Sequence, residues 1–228
     1  TSIVGISDLP EAGKVTSDST QGPNVHVIDQ SGNWYQIRSA TTANSNLNSI
    51  IGIASVSTGT YTRGASMEFF GSVVGADISG IQLPRLYVGG SDRVVRANPD
   101  GSGEAIVGTL ANYESTVYRP LKIFRGNLIF GNGATIGQID GTNTVTSSVL
   151  NLGRGNYYSD ITPGLGTHAR VRDIEVSPSN DYITIATANL AAEEILSSVN
   201  TDFPQAFASL DGKLFQWNGS DATVTAAT

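Results

Sequence analysis

The chain has 228 residues, of which 39% are hydrophobic, 14% are charged and 26 are glycine. That is enough chain to bury a core in one large or two modest domains, and a composition unsuited to long helices. Two histidines, one methionine and no cysteine exclude zinc fingers, iron–sulfur sites and thiol catalysis, and a net charge of −7 opposes binding by phosphate neutralisation, so nucleic acid is not an expected partner.

Residues 1–23 start apolar and pass into Pro, Gly, Ser, Thr and Asp, which reads as an N-terminal attachment arm or linker. Its Ile3, Val4 and Ile6 are candidates for pairing with a neighbouring subunit. No basic, apolar leader opens the sequence, so no signal peptide is expected.

A small β-domain is expected over 24–118. NVHVID (24–29) and NWYQI (33–37) flank Gln30-Ser31-Gly32, a spacing suited to a hairpin. IIGIASV (50–56), SMEFFGSVV (66–74), RLYVGG (85–90), DRVVRA (92–97) and AIVGTL (105–110) continue the series, the pattern of a short-stranded antiparallel barrel or sandwich. The uncharged stretch 39–62 is too often interrupted by polar residues to cross a bilayer, so no membrane insertion is expected.

From 119 to 228 the rhythm changes. LKIFRGNLIFGNGATIGQIDG (121–141) has three apolar runs broken by Gly-Asn and Asp-Gly, read as tight hairpins. ARVRDIEVSPSNDYITIATA (169–188) and FASLDGKLFQWNGSD (207–221) repeat the form. These predict propeller-like β-repeats, with too few units to close a propeller alone. NLAAEEILSSVN (189–200) predicts one short helix, with Leu190, Ala191, Ile195 and Val199 on one face.

The chemistry-bearing residues do not form a catalytic pattern. Glu193 and Glu194 are adjacent on the predicted helix and point apart. His26 lies in a strand-like run and His168 in a Gly-rich one, neither with a metal-ligand partner at useful spacing. Asn98-Pro-Asp100-Gly-Ser102-Gly103 opens like a calcium loop, but the twelfth position is Thr109 instead of a bidentate Glu, so a β-turn is expected. No cofactor, metal or catalytic residue is predicted. Trp34, Tyr35, Tyr157, Tyr158 and Trp217 are the candidate ligand or interface contacts, as stacking platforms for sugar or anchors for protein; alternation also fits core positions for some of them.

The run NVHVIDQSGNWYQIRSA, IIGIASV, SMEFFGSVVG, RLYVGGSDRVVRANPDGSGEAIVGTL (24–110) resembles the small β-domain of tail-fibre and related virion proteins of tailed bacteriophages, and GISDLPEAGKV resembles the linkers between such modules. GNLIFGNGATIGQIDG, DYITIATA and GKLFQWNGSD are similar to propeller-like blades of some phage and marine viral tail proteins. The resemblance implies a non-enzymatic virion component, made in the bacterial host cytoplasm: a tail fibre or tail-tip protein. Its implied partners are itself, with a trimer favoured, the adjoining tail proteins, and a host surface glycan or receptor. A carbohydrate- or receptor-binding adhesin module and a capsid decoration protein are the alternatives, with a polysaccharide-degrading spike behind them.

Overall fold

The structure, a computed structural model, describes residues 2–8, 21–40, 49–56, 61, 64–76, 82–90, 93–107, 119–132, 135–151, 169–189, 214–219 and 225–226. The fold is all-β. Among the described residues there are four antiparallel sheets of four strands, and in each the strands lie side by side in chain order. The first contains β1 (Ile3–Asp8), β2 (Gln21–Asp29), β3 (Asn33–Ala40) and β4 (Ser49–Ser55). The second contains β5 (Ser66–Ala76), β6 (Gln82–Gly89), β7 (Val94–Ala97) and β8 (Ala105–Ile106). The third contains β9 (Leu121–Phe124), β10 (Asn127–Asn132), β11 (Thr135–Ile139) and β12 (Val145–Asn151). The fourth contains β13 (Ala169–Val176), β14 (Ile183–Asn189), β15 (Leu214–Trp217) and β16 (Thr225–Ala226).

One expectation changes here, and a second falls almost wholly outside the described residues. Residues 3–8 are not part of a free arm: β1 pairs antiparallel with β2, from Ile3 opposite Asp29 to Asp8 opposite Val25. Three β-branched residues in six make this segment a good strand, and pairing satisfies backbone groups that a free arm would leave to water. Of the helix expected over 189–200, Asn189 is the last residue of β14, and 190–200 lie outside the described residues. Among the described residues no helix is long and apolar enough to cross a membrane.

The chain divides into two compact units, one comprising Thr1–Val107 with Glu114–Tyr118, the other Gly108–Tyr113 with Arg119–Thr228. In the first unit, Ile28 and Trp34 of the first sheet meet Met67, Phe69, Leu86 and Val95 of the second in one buried cluster. In the second unit, Ile129 and Ile136 of the third sheet share a core with Val171, Ile174, Ile185 and Trp217 of the fourth. Each such aliphatic or aromatic side chain stabilises its unit by roughly 1.5–3 kcal/mol relative to exposure.

The second and third sheets carry one repeated hairpin at a spacing of 42 residues, the distance from Leu86 to Leu128 and from Ala97 to Ile139. Burial repeats with it: 86–90 and 128–132 are buried throughout, while 93–97 and 135–139 share the order half-buried, buried, buried, half-buried, buried. Such runs lack the alternation of a one-sided sheet, because both faces of these strands are covered. The hairpin ends also coincide. Asn98 N–H donates to Ser102 O as Asp140 N–H does to Thr144 O, and Gly101 N–H donates to Asn98 O as Asn143 N–H does to Asp140 O.

Turn chemistry sets these registers. Residues 29, 98, 140 and 177 are Asp, Asn, Asp and Ser, and the residue three further on has positive φ each time: Gly32, Gly101, Asn143 and Asn180. Glycine and asparagine tolerate that conformation best. The β9–β10 turn is different, a two-residue turn in which Arg125 and Gly126 have φ of 49° and 77°. Positive φ at both positions is the type I′ requirement, so the chain reverses at Arg125-Gly126, and Asn127 of the expected Gly-Asn break already belongs to β10.

Candidate functional site: contact surfaces

The predicted contact residues divide by burial. Trp34 is 0% exposed and Trp217 5%, so of the two placements that alternation allowed, contact surface or core, both take the core. Trp34 alternates onto the inner face of β3, opposite Ile28, and its indole N–H donates to His26 Nδ1 at 3.0 Å. Trp217 ends β15 opposite Ile183, and its ring centroid is 6.4 Å from that of Phe124. Tyr35 is half-buried on the outer face, opposite Val27, with its hydroxyl 3.4 Å from Asp29 Oδ2. Tyr157 and Tyr158 lie outside the described residues, as do His168, Thr109, Glu193 and Glu194.

Among the described residues, the exposed apolar groups concentrate on the first unit. Ile6 is 65% and Ile3 57% exposed. Ile3 pairs with Asp29, Gly5 with Ile28 and Ile6 with Val27, so Val4 is the extra residue of a β-bulge. In a regular strand residues three apart point to opposite faces; the bulge brings Ile3 and Ile6 to the same one. That is the outer face, where buried Val27 and half-buried Tyr35 continue the row across β2 and β3. On the inner face Gly5 lets β1 approach its neighbours: a Cβ there would stand 3.0 Å from both Ile28 Cγ2 and Met67 Sδ. The Ala65 N–H donates to Val4 O at 2.9 Å and ties the bulge down.

A second protrusion lies on β5. Phe70 pairs with Arg85 and Gly75 with Leu83, so residues 71–74 stand opposite Pro84 alone. Proline has no N–H to hold them in the ladder. Val73 and Val74 project from this bulge, 55% and 41% exposed. Sequence reading placed Val73 and Val74 in a strand and Ile3 and Ile6 in an arm, and showed the exposure of neither pair, which depends on register.

The polar groups are engaged in turns. The Asp29 carboxylate, itself buried, accepts from Ser31 N–H, Asn33 N–H and Asn33 Nδ2 at 2.8, 3.0 and 2.9 Å. Burial alone would raise its pKa; the Asn33 and Ser31 donors and the Tyr35 hydroxyl outweigh this and hold it below the ordinary value. Asp140 Oδ1 accepts from the Thr142 hydroxyl and from Thr142 and Thr144 N–H, and these bonds also lower its pKa. Asp100 Oδ1 takes the Ser102 hydroxyl and N–H with the same result, so 98–103 is a turn closed by its own side chains. Among the described residues no three His, Asp or Glu side chains come together in a group that could hold a metal ion.

No family model and no curated protein matches this sequence. Among solved structures, the crystal structure of Niastella koreensis GH74 enzyme is similar with a TM-score of 0.48 and 12% identity, over 98% of this chain and 30% of that one. The chain therefore spans about a third of that enzyme's length, and at this level of likeness nothing about activity transfers.

Proposed function

We propose that this chain is a non-enzymatic structural component of a tailed-phage virion, a tail fibre or tail-tip protein that associates with further copies of itself and with adjoining tail proteins. The observation that carries the reading is the Ile3–Ile6 pair, two large aliphatic side chains brought to one face by a bulge and left more than half exposed. An exposed apolar patch on a sheet margin is a contact surface or an aggregation hazard. Its best occupant is a second copy of this chain. Copies of net charge −7 repel one another at long range, so their contact must be apolar and local, and Ile3, Val4, Gly5 and Ile6 carry no charge. Repetition of such a contact around a symmetric assembly raises its strength without any single tight site.

Four-stranded meanders with a 42-residue hairpin repeat are of a kind with propeller blades, in accord with the resemblance of the sequence to phage tail proteins. The reading is tested by proteomics of purified tailed particles from the host that carries the coding sequence. Peptides of this chain at stoichiometric level with the tail proteins are expected. Their confinement to the soluble lysate, with none in the particles, contradicts the assignment.

A further inference from the structure

Resting on the self-association proposed above, we propose that the contact between copies is heterologous: the Val73–Val74 bulge of one copy seats on the Ile3–Ile6 face of the next. The two sites differ in shape. Ile3 and Ile6 share the outer face of the first sheet with Val27 and Tyr35, so that site is a stretch of sheet face. Val73 and Val74 belong to the four residues that stand opposite Pro84 alone, and they are 55% and 41% exposed, so that site is a knob outside the ladder. Neither run carries a charge, from Ile3 to Ile6 or from Phe69 to Ala76. They are two sites and not one patch. Ala65, whose N–H is bonded to Val4 O, immediately precedes β5. The regular ladder from Ser66 to Phe70, roughly 14 Å long, separates that end of the strand from the bulge.

Two copies can meet through these sites in three ways. Knob on knob brings two convex groups together over little area and leaves both faces in water. Face on face covers the isoleucines but leaves the valines of both copies exposed. It also brings two Asp29 carboxylates to one contact, since Asp29 is in register with Ile3. Burial in the turn does not remove that charge, which its donors hold in place, and a buried charge is little screened by salt. Knob on face covers both apolar sites. Arg85, in register with Phe70 and adjacent to Pro84, then comes to a contact whose other side carries Asp29, so the charges at its margin are of opposite sign. Of the three, this arrangement removes most apolar surface from water and sets no like charges together.

The symmetry follows from the pairing. A face-on-face contact is isologous and stops at two copies. A knob on a face leaves every copy with one unused site of each kind, so the assembly closes as a ring or runs on as a filament. A trimer or a fibre, as the phage resemblance implies, requires a contact of this second kind.

Sedimentation of the full chain tests the pairing, with the parent, Ile6→Glu, Val73→Glu and an equimolar mixture of the two variants. Each variant alone lacks one half of the contact and is expected to sediment as single chains. In the mixture the intact knob of Ile6→Glu meets the intact face of Val73→Glu. Dimers are expected there and nothing larger, because both sites left over on such a dimer carry glutamate. Should Val73→Glu not fold, the double substitution Val73→Ser with Val74→Ser, which removes the apolar surface without adding charge, takes its place. A mixture that stays monomeric beside an associating parent, or a Val73→Glu chain that associates as the parent does, overturns the heterologous contact and leaves self-association standing. A parent that stays monomeric overturns both.

Discussion

Phe130 and Gly137 face each other across β10 and β11, at the place where Val88 and Val95 face each other across β6 and β7. The two pairs occupy equivalent positions of the repeated hairpin, 42 residues apart. One copy fills the space with two medium side chains, the other with a large ring lying over a glycine. A Cβ on Gly137 would come within 2.5 Å of Phe130 Cε2, so in the third sheet the glycine is required by the ring, not by a turn.

A double-mutant cycle at this pair tests that relation. Gly137→Val alone overpacks a ring that is 0% exposed and is expected to cost about 1–3 kcal/mol. Phe130→Val alone leaves a cavity and costs about 2–4 kcal/mol. Together they recreate the arrangement of the second sheet, and the double variant is expected to lose clearly less than the sum, with a coupling of about 0.5–3 kcal/mol in urea denaturation. Simple additivity contradicts the equivalence of the two hairpins.

The aspartate turns predict a pH dependence. Asp29, Asp100 and Asp140 all have pKa values lowered by donors they meet only in the folded chain. Their stabilisation is complete above the unfolded carboxylate value of about 3.9 and is lost as pH falls through the lower folded values. Asp29 is the buried one, and Asp29→Ala leaves the N–H groups of Ser31 and Asn33 without their acceptor, at an expected cost of about 1–3 kcal/mol near neutral pH. Thermal melts of Asp29→Ala and the parent should draw together as pH falls below the unfolded carboxylate value; a difference that stays constant through the acid range would falsify the assignment.

Backbone conformation, not space, limits Gly126. Nothing lies within 4 Å of a Cβ built there, yet its φ is 77°. Gly126→Ala is expected to destabilise the second unit by about 1 kcal/mol. The adjacent Arg125 accepts the same kind of conformation because its side chain is anchored: Nη2 donates to Asp181 O at 2.9 Å, and the guanidinium carbon stands 5.4 Å from the centre of the Phe124 ring. Arg125→Gly should therefore be neutral or destabilising despite relieving the backbone, as urea denaturation will show.

Strands and turns were legible in the sequence where local chemistry decides them. Gln30-Ser31-Gly32, Asn98-Pro-Asp100-Gly101 and the turn after Ser177 all sit between strands as their residues demand. Burial of Trp34 was legible only as alternation, with no way to tell the inner face from the outer. Two features were hidden for physical reasons. The bulge at Val4 depends on the partner strand, so Ile3 and Ile6 read as an arm. The 42-residue repeat is masked because its buried pairs conserve combined size rather than identity, Val88 with Val95 against Phe130 with Gly137.

Sedimentation of the full chain against its Ile6→Glu variant over a range of salt tests the central claim most directly. The parent is expected to associate, more strongly at high ionic strength as the repulsion between chains of net charge −7 is screened. The variant is expected to sediment as single chains and to keep the fold of the single parent chain, because Ile6 is 65% exposed; its thermal transition should match that of the parent at concentrations where the parent is dissociated. A parent that stays monomeric at every salt concentration, or a variant that associates as the parent does, contradicts self-assembly through this face.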